Sequence, residues 1–183
     1  MPSRLVTASA YIAGFELLRD SIVDCIRDFF CCGFDENGDI IDPKYEADVL
    51  SRNRSRLYAS LNWLKEMSAI DDTDMASFER VKACRNHLAH QLLKGVSKEG
   101  KPADFIECFV EMARLTHKIE LWWIKNVEIP TSSDFEGEDI DENGIIPGTV
   151  IGLRVLCDIA LGTDEQSRFY YEEFKKQSNR DDI

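Results

Sequence analysis

Apolar residues recur at three- and four-residue intervals along most of the chain, the spacing that places them on one side of an α-helix. A first helix is predicted from Ser3 to Cys32, a second from about Pro43 to Ile70, a third from about Met75 to Leu92, and a fourth from about Pro102 to Val127. Glycine, proline, asparagine and aspartate predict loops between them, above all from Gly33 to Pro43. The pattern therefore predicts an all-α protein whose core is an up-and-down four-helix bundle.

The predicted bundle occupies residues 1–129, and the pattern changes after it. Residues 130–148 combine acidic side chains with glycine and serine, which predicts an exposed acidic loop. A fifth helix, Thr149 to Leu161, is apolar on most sides, so we expect it to be buried. Glu165 to Gln177 is predicted to form a polar terminal helix. Residues 149–183 are therefore interpreted as a C-terminal helical extension that packs on the same domain.

The composition, 44% hydrophobic and 31% charged residues, is typical of a soluble globular protein. The longest nearly apolar stretch is the fifth predicted helix, which contains Arg154 and Asp158 and is shorter than the ~18 residues that a membrane span needs. The first predicted helix carries Glu16 and Asp20 and therefore lacks the long uncharged apolar stretch of a secretory signal, so such a signal is disfavoured. We therefore expect no membrane helix and a cytoplasmic location.

The six cysteines include no CxxC pair, and a chain of 183 residues can bury enough apolar surface to fold without disulfides. We expect them to be reduced, with the adjacent Cys31 and Cys32 as small buried side chains on helices. The sequence has no glycine-rich phosphate loop and no histidine and cysteine cluster with metal-ligand spacing. Neither a metal nor a cofactor is therefore predicted.

The net charge of -12 argues against non-specific nucleic-acid binding, which depends on lysine and arginine. One segment differs from the rest. From Phe78 to Lys101 there are six basic residues and two acidic ones, a local balance of about +4. Contact with a polyanion is therefore expected only around this segment.

The basic segment contains the run Cys84-Arg85-Asn86-His87-Leu88-Ala89-His90. At ~100° per residue the apolar residues of the third helix share one side, and a second stripe points nearly the opposite way. That second stripe consists of Glu79, Ala83, Asn86 and His90. The side chains of Arg85 and His90 point in directions about 140° apart around the helix, so they can act on one atom only if a second surface faces them. A second copy of the helix, related by a two-fold axis, would supply that surface.

These residues resemble a known motif: Arg85-Asn86, three further residues and His90 are similar to the arginine, four residues, histidine motif of the HEPN superfamily. The resemblance covers about Ser3 to Val127. It implies an α-helical homodimer and a metal-independent endoribonuclease of the toxin-antitoxin or antiviral defence type, with RNA as substrate and an antitoxin as a possible neutralising partner. Leu92 stands where some members have a tyrosine that a partner nucleotidyltransferase modifies, so that route of regulation is not expected.

The residue types suit this chemistry. A histidine with an ordinary pKa near ~6.5 can act as general base or acid, so His90 is a candidate for proton transfer. Arg85 can hold phosphate oxygens with its fork of donors, and Asn86 can orient the histidine or donate to phosphate. The candidate catalytic residues are therefore Arg85, Asn86 and His90.

Two alternatives remain open. The motif can serve as a binding cleft without turnover, in a non-catalytic HEPN module for RNA, a nucleotide or a protein partner. Arg85 and His90 can also be ordinary surface residues of an unrelated helical interaction protein. Of the other histidines, His87 is expected at a surface or interface, and His117 is expected to be packed or capped.

Overall fold

The computed structural model describes residues 4–93, 104–135, 141 and 144–162. Its helices are α1 (Arg4–Phe29), α2 (Arg56–Glu66), α3 (Asp72–Leu93), α4 (Phe105–Trp123), the single turn α5 (Ile129–Thr131) and α6 (Gly148–Leu161). The two strands are β1 (Cys31–Asp35) and β2 (Gly38–Ile41). The protein is mainly α-helical, as its hydrophobic pattern predicted. No helix within the described ranges is long and apolar enough to cross a lipid bilayer.

The prediction of a loop directly after the first helix was wrong. The helix ends at Phe29, and β1 and β2 form an antiparallel hairpin whose register pairs Asp35 with Gly38. The backbone amide of Asn37 donates to the Asp35 carboxylate (2.7 Å), and Gly38 has a φ of +116°, which glycine adopts readily. Both cysteines predicted on a helix therefore lie in β1, where Cys31 is half-buried and Cys32 is exposed.

The second predicted helix is broken. A π-helical turn (Tyr45–Val49) and a 3-10 turn (Leu50–Arg52) come first, and Asn53 then adopts an extended conformation. Its side-chain oxygen accepts from the backbone amide of Ser55 (2.9 Å), and this local bond replaces helical hydrogen bonding. As a result only α2 remains as a regular helix, and it has 11 residues.

The third and fourth helices follow their predicted patterns. Asp71 caps α3, because its carboxylate accepts from the backbone amides of Thr73 (2.8 Å) and Asp74 (3.1 Å). Gly95, the predicted stop, lies outside the described residues. The α4 stripe is buried as predicted, and a π-helical turn (Ile124–Glu128) continues the helix. The predicted stripe consists of Phe105, Phe109, Met112, Thr116, Ile119 and Trp123.

The helices do not alternate in direction as those of an up-and-down bundle do, and the four-helix arrangement is not confirmed. Contacts between α1 and α4 advance together along both helices: the Tyr11 and Phe109 rings meet edge to face with their centres 5.3 Å apart, and Ser21 Oγ donates to Glu120 (2.6 Å) further along. These helices therefore run parallel. The break before α2 removes the long antiparallel element that strict alternation requires.

Helix α6 packs against α1 and α4 and runs antiparallel to α1. Thr7 Oγ1 donates to the carbonyl of Ala160 (3.0 Å), whereas Gly14 lies beside Leu153. The expectation that α6 is buried was wrong, because only Leu153 and Ala160 are fully buried and Ile151 is 54% exposed. The predicted terminal helix, Glu165 to Gln177, lies outside the described residues.

Candidate functional site

Helix α3 presents one buried side and one exposed side, as its sequence predicted. Val81, Cys84 and Leu88 are at most 5% exposed and pack into the core. The opposite stripe is exposed at every position; it consists of Glu79, Ala83, Asn86 and His90. Two of the three predicted site residues, Asn86 and His90, therefore lie on an exposed face of the described part of the chain.

Arg85 lies at the border of that face and is directed toward α1. Its Nη2 donates to Glu16 Oε1 (2.9 Å), and its guanidinium carbon lies 5.6 Å from the centre of the Phe15 ring. About one third of the side chain is exposed, and Nε is buried without a hydrogen-bond partner. The α1 contacts hold the guanidinium at the edge of the exposed stripe and satisfy part of its charge.

Asn86 connects with Arg85, and His90 does not. Arg85 Nη1 donates to Asn86 Oδ1 at 3.5 Å, a long hydrogen bond. The His90 imidazole is exposed and makes no hydrogen bond or ion pair within the described part of the chain. The structure thus brings Arg85 and Asn86 together and leaves His90 available to an external group.

Two of the three described cations of the basic segment, Arg80 and Arg85, pair with carboxylates inside the molecule. Arg80 forms two hydrogen bonds to Glu111 (2.5 and 3.1 Å). Lys82 donates to the Tyr58 hydroxyl (2.5 Å) and lies 4.5 Å from the centre of that ring. Lys94, Lys98 and Lys101 lie outside the described residues. The positive charge near the site is therefore smaller than the sequence balance suggested.

The groups behind the site are buried and unreactive. Burial raises the pKa of the Cys84 thiol, so it stays protonated and is a poor nucleophile. Burial, followed by Cys84 and Cys108, raises the pKa of Tyr11 well above its ordinary value. The Tyr11 hydroxyl therefore remains a donor, and it binds the carbonyl of Val81 (3.1 Å). The backbone that carries the motif is thus anchored to α1 from below.

The other two histidines occupy different surroundings. His87 is exposed, as expected, and lines a small cavity of about 260 Å³ beside Arg80 and Asp104. His117 on α4 is half-buried beside Arg114, on the α6 side of the molecule.

Glu16 and Phe15 are the site residues that sequence reasoning missed. Both lie on α1, 69 residues before Arg85 in the case of Glu16, and a periodic pattern within one helix carries no information about such a contact. In the sequence, the charged Glu16 follows the apolar Phe15, which indicated only that this side of α1 is not entirely buried.

No family model matches the sequence, and neither a curated protein nor a solved structure matches the chain.

Proposed function

We propose that this chain is a metal-independent endoribonuclease of HEPN type, which acts as a homodimer in a toxin-antitoxin or antiviral defence system. The observation that carries the proposal is the position of the motif: Asn86 and His90 lie on the exposed side of α3, and Arg85 is held at its edge. A residue for proton transfer and a residue for phosphate binding are therefore both accessible to an RNA backbone. RNA in the cytoplasm is the substrate, and a neutralising antitoxin is the partner that such a toxin requires.

The proposed reaction uses the 2'-hydroxyl of RNA as its nucleophile. A histidine accepts the 2'-hydroxyl proton while the oxygen attacks phosphorus, and the bond from phosphorus to the 5'-oxygen breaks. A second histidine protonates the leaving 5'-oxygen. Arg85 neutralises the phosphate oxygens during the displacement, because its guanidinium stays charged and presents paired donors.

Two histidines are required, and a two-fold dimer supplies both. The stripe that includes Ala83 and Asn86 is exposed in the single chain, and a small residue among polar ones permits a close approach of two helices. Two copies of His90 and two of Arg85 would then line one cleft. In this arrangement the 140° divergence within one helix no longer separates the groups, because each chain faces the motif of the other.

A second candidate function is a non-catalytic module that binds RNA, a nucleotide or a protein. Within this candidate, the ion pair between Arg85 and Glu16 favours a protein partner, because a guanidinium already held by a carboxylate is less available to the phosphate of RNA or a nucleotide. Turnover separates the two candidates.

The test is incubation of the purified full-length chain with mixed single-stranded RNA in excess EDTA, followed by analysis of the product ends. We expect cleavage that leaves a 2',3'-cyclic phosphate or the 3'-phosphate formed from it. Cleavage that occurs only after addition of a divalent metal would contradict the mechanism. Binding of RNA without cleavage would favour the non-catalytic module.

His87 provides a matched control for His90, since both are exposed histidines on the same helix. His90→Ala should lower the cleavage rate by about 10²- to 10⁴-fold, the usual loss for a general acid or base. His87→Ala should leave it nearly unchanged. Equal losses in the two variants would show that the motif does not define the site.

Light scattering should give the mass of two chains, and full activity of a strict monomer would exclude the composite cleft.

A further inference from the structure

A second cavity lies on the other side of α4, in the groove between α4 and α6. Its volume is about 400 Å³, within the ~300–1,000 Å³ range of small-molecule sites. The walls are apolar and mostly aliphatic: Val110 and Ala113 come from α4, Val150 and Leu153 come from α6, and Phe109 and Cys157 complete them. These walls offer no hydrogen bonds, so the part of a ligand that lies against them must be apolar.

Basic side chains surround this groove. Arg114 and Arg154 are exposed, lie on opposite helices and form no ion pair within the described residues. Most other described arginines do pair with a carboxylate, as expected in a chain with 34 acidic residues. His117 also lines the groove, and Asp158 contributes one negative charge. Two guanidinium groups against one carboxylate leave a positive rim on a molecule whose net charge is -12.

We propose that this groove binds an unbranched aliphatic monocarboxylate, that is, a fatty acid. The alkyl chain lies along the aliphatic walls, and the carboxylate is held at the rim by Arg114 and Arg154. A guanidinium presents two parallel donors to the two oxygens of a carboxylate, which makes arginine a specific partner for this group. An apolar wall with a few charged groups at its edge is the usual composition of a site for an amphiphilic ligand.

The groove is separate from the α3 motif. The side of α4 that faces α3 carries Glu111, which pairs with Arg80, and the groove lies on the side that faces α6. The inference therefore does not depend on the proposed nuclease activity. A measurement of ligand binding alone tests it.

The test is isothermal titration calorimetry of the full chain with dodecanoate below its critical micelle concentration. We expect saturable binding of one equivalent. The double variant Arg114→Gln/Arg154→Gln should weaken it by about tenfold or more, because hydrogen bonds to a charged group are lost. Arg54→Gln is the matched control, since Arg54 is an exposed arginine outside the groove, and its affinity should equal that of the wild type.

Two further measurements separate this site from non-specific adsorption. Dodecyltrimethylammonium has the same alkyl length and the opposite charge, so it should not bind saturably. Ala113→Leu should fill the groove and reduce dodecanoate binding without changing any charge, with circular dichroism to verify the fold. Absence of saturable dodecanoate binding, equal binding of the cation, or an unchanged affinity in the double arginine variant would each overturn the proposal.

Discussion

Replacement of Glu16 by glutamine tests whether Arg85 is a phosphate-binding group. Glu16→Gln keeps the size of the side chain and an acceptor oxygen but removes the charge that holds Arg85 at 2.9 Å. The two side chains are 38% and 34% exposed, and exposed ion pairs of this kind typically contribute about 0.2–1 kcal/mol. We therefore expect the free energy of unfolding to change by less than about 1 kcal/mol.

The same magnitude limits the effect on RNA. A phosphate that binds Arg85 must first displace Glu16, so removal of this competition should strengthen RNA binding. Since 1.4 kcal/mol corresponds to a tenfold change, the gain should be at most about fivefold. Fluorescence anisotropy with a labelled single-stranded RNA at fixed salt measures it.

Glu111→Gln is the control for net charge, because it also releases an α3 arginine and changes the charge of the chain by the same amount. Only Glu16→Gln should improve RNA affinity beyond this control. An equal gain in both variants would show that the gain in RNA affinity comes from the change in net charge and not from Arg85. A stable Glu16→Gln protein with unchanged RNA affinity would refute the competition between Glu16 and phosphate for Arg85.

Two further predictions concern stability. At Gly14 an added Cβ would lie 3.0 Å from methyl groups of Leu153 and Met112, whereas at Gly152 the nearest atom would be 4.0 Å away. Urea unfolding should therefore find Gly14→Ala less stable than Gly152→Ala by about 1 kcal/mol, the lower end for overpacking because both neighbours are flexible side-chain ends, and equal stabilities would contradict the close packing. A hydrogen bond from Lys118, followed by backbone amides, lowers the pKa of Asp71 to about 2. Its contribution to stability should be complete above the ordinary aspartate pKa and disappear as the pH falls toward 2, so unfolding across this range should be less pH-dependent in Asp71→Asn, and an equal dependence would refute it.

The parts of the fold that were predictable from sequence are those determined within one helix. The stripe containing Val81 and Leu88 follows from helical spacing, and the start of α3 follows from the aspartates that cap it. The hairpin was not predictable in this way, because its strands have five and four residues and are mostly exposed. Strands without a buried face show no alternation of apolar and polar residues. The break at Asn53 depends on one side-chain hydrogen bond, which periodicity does not reveal.

The candidate site divides in the same way. The exposure of Asn86 and His90 follows from their position on α3, and the structure agrees. The contacts of Arg85 with Glu16 and Phe15 depend on how α1 packs against α3, so only the tertiary structure contains them. The ribonuclease activity, the dimer and the antitoxin remain predictions, since each depends on molecules other than this chain.

The antiparallel contact between α1 and α6 has a consequence for biosynthesis. Thr7 and Ala160 are 153 residues apart, although their side chain and carbonyl share a hydrogen bond. At a translation rate of ~5–20 residues per second, roughly 8 to 30 s pass between the synthesis of these two residues. During that interval the side of α1 that includes Gly14 has no α6 to cover it. The apolar side of α1 that packs against α6 in the folded protein therefore stays without this cover until α6 has left the ribosome.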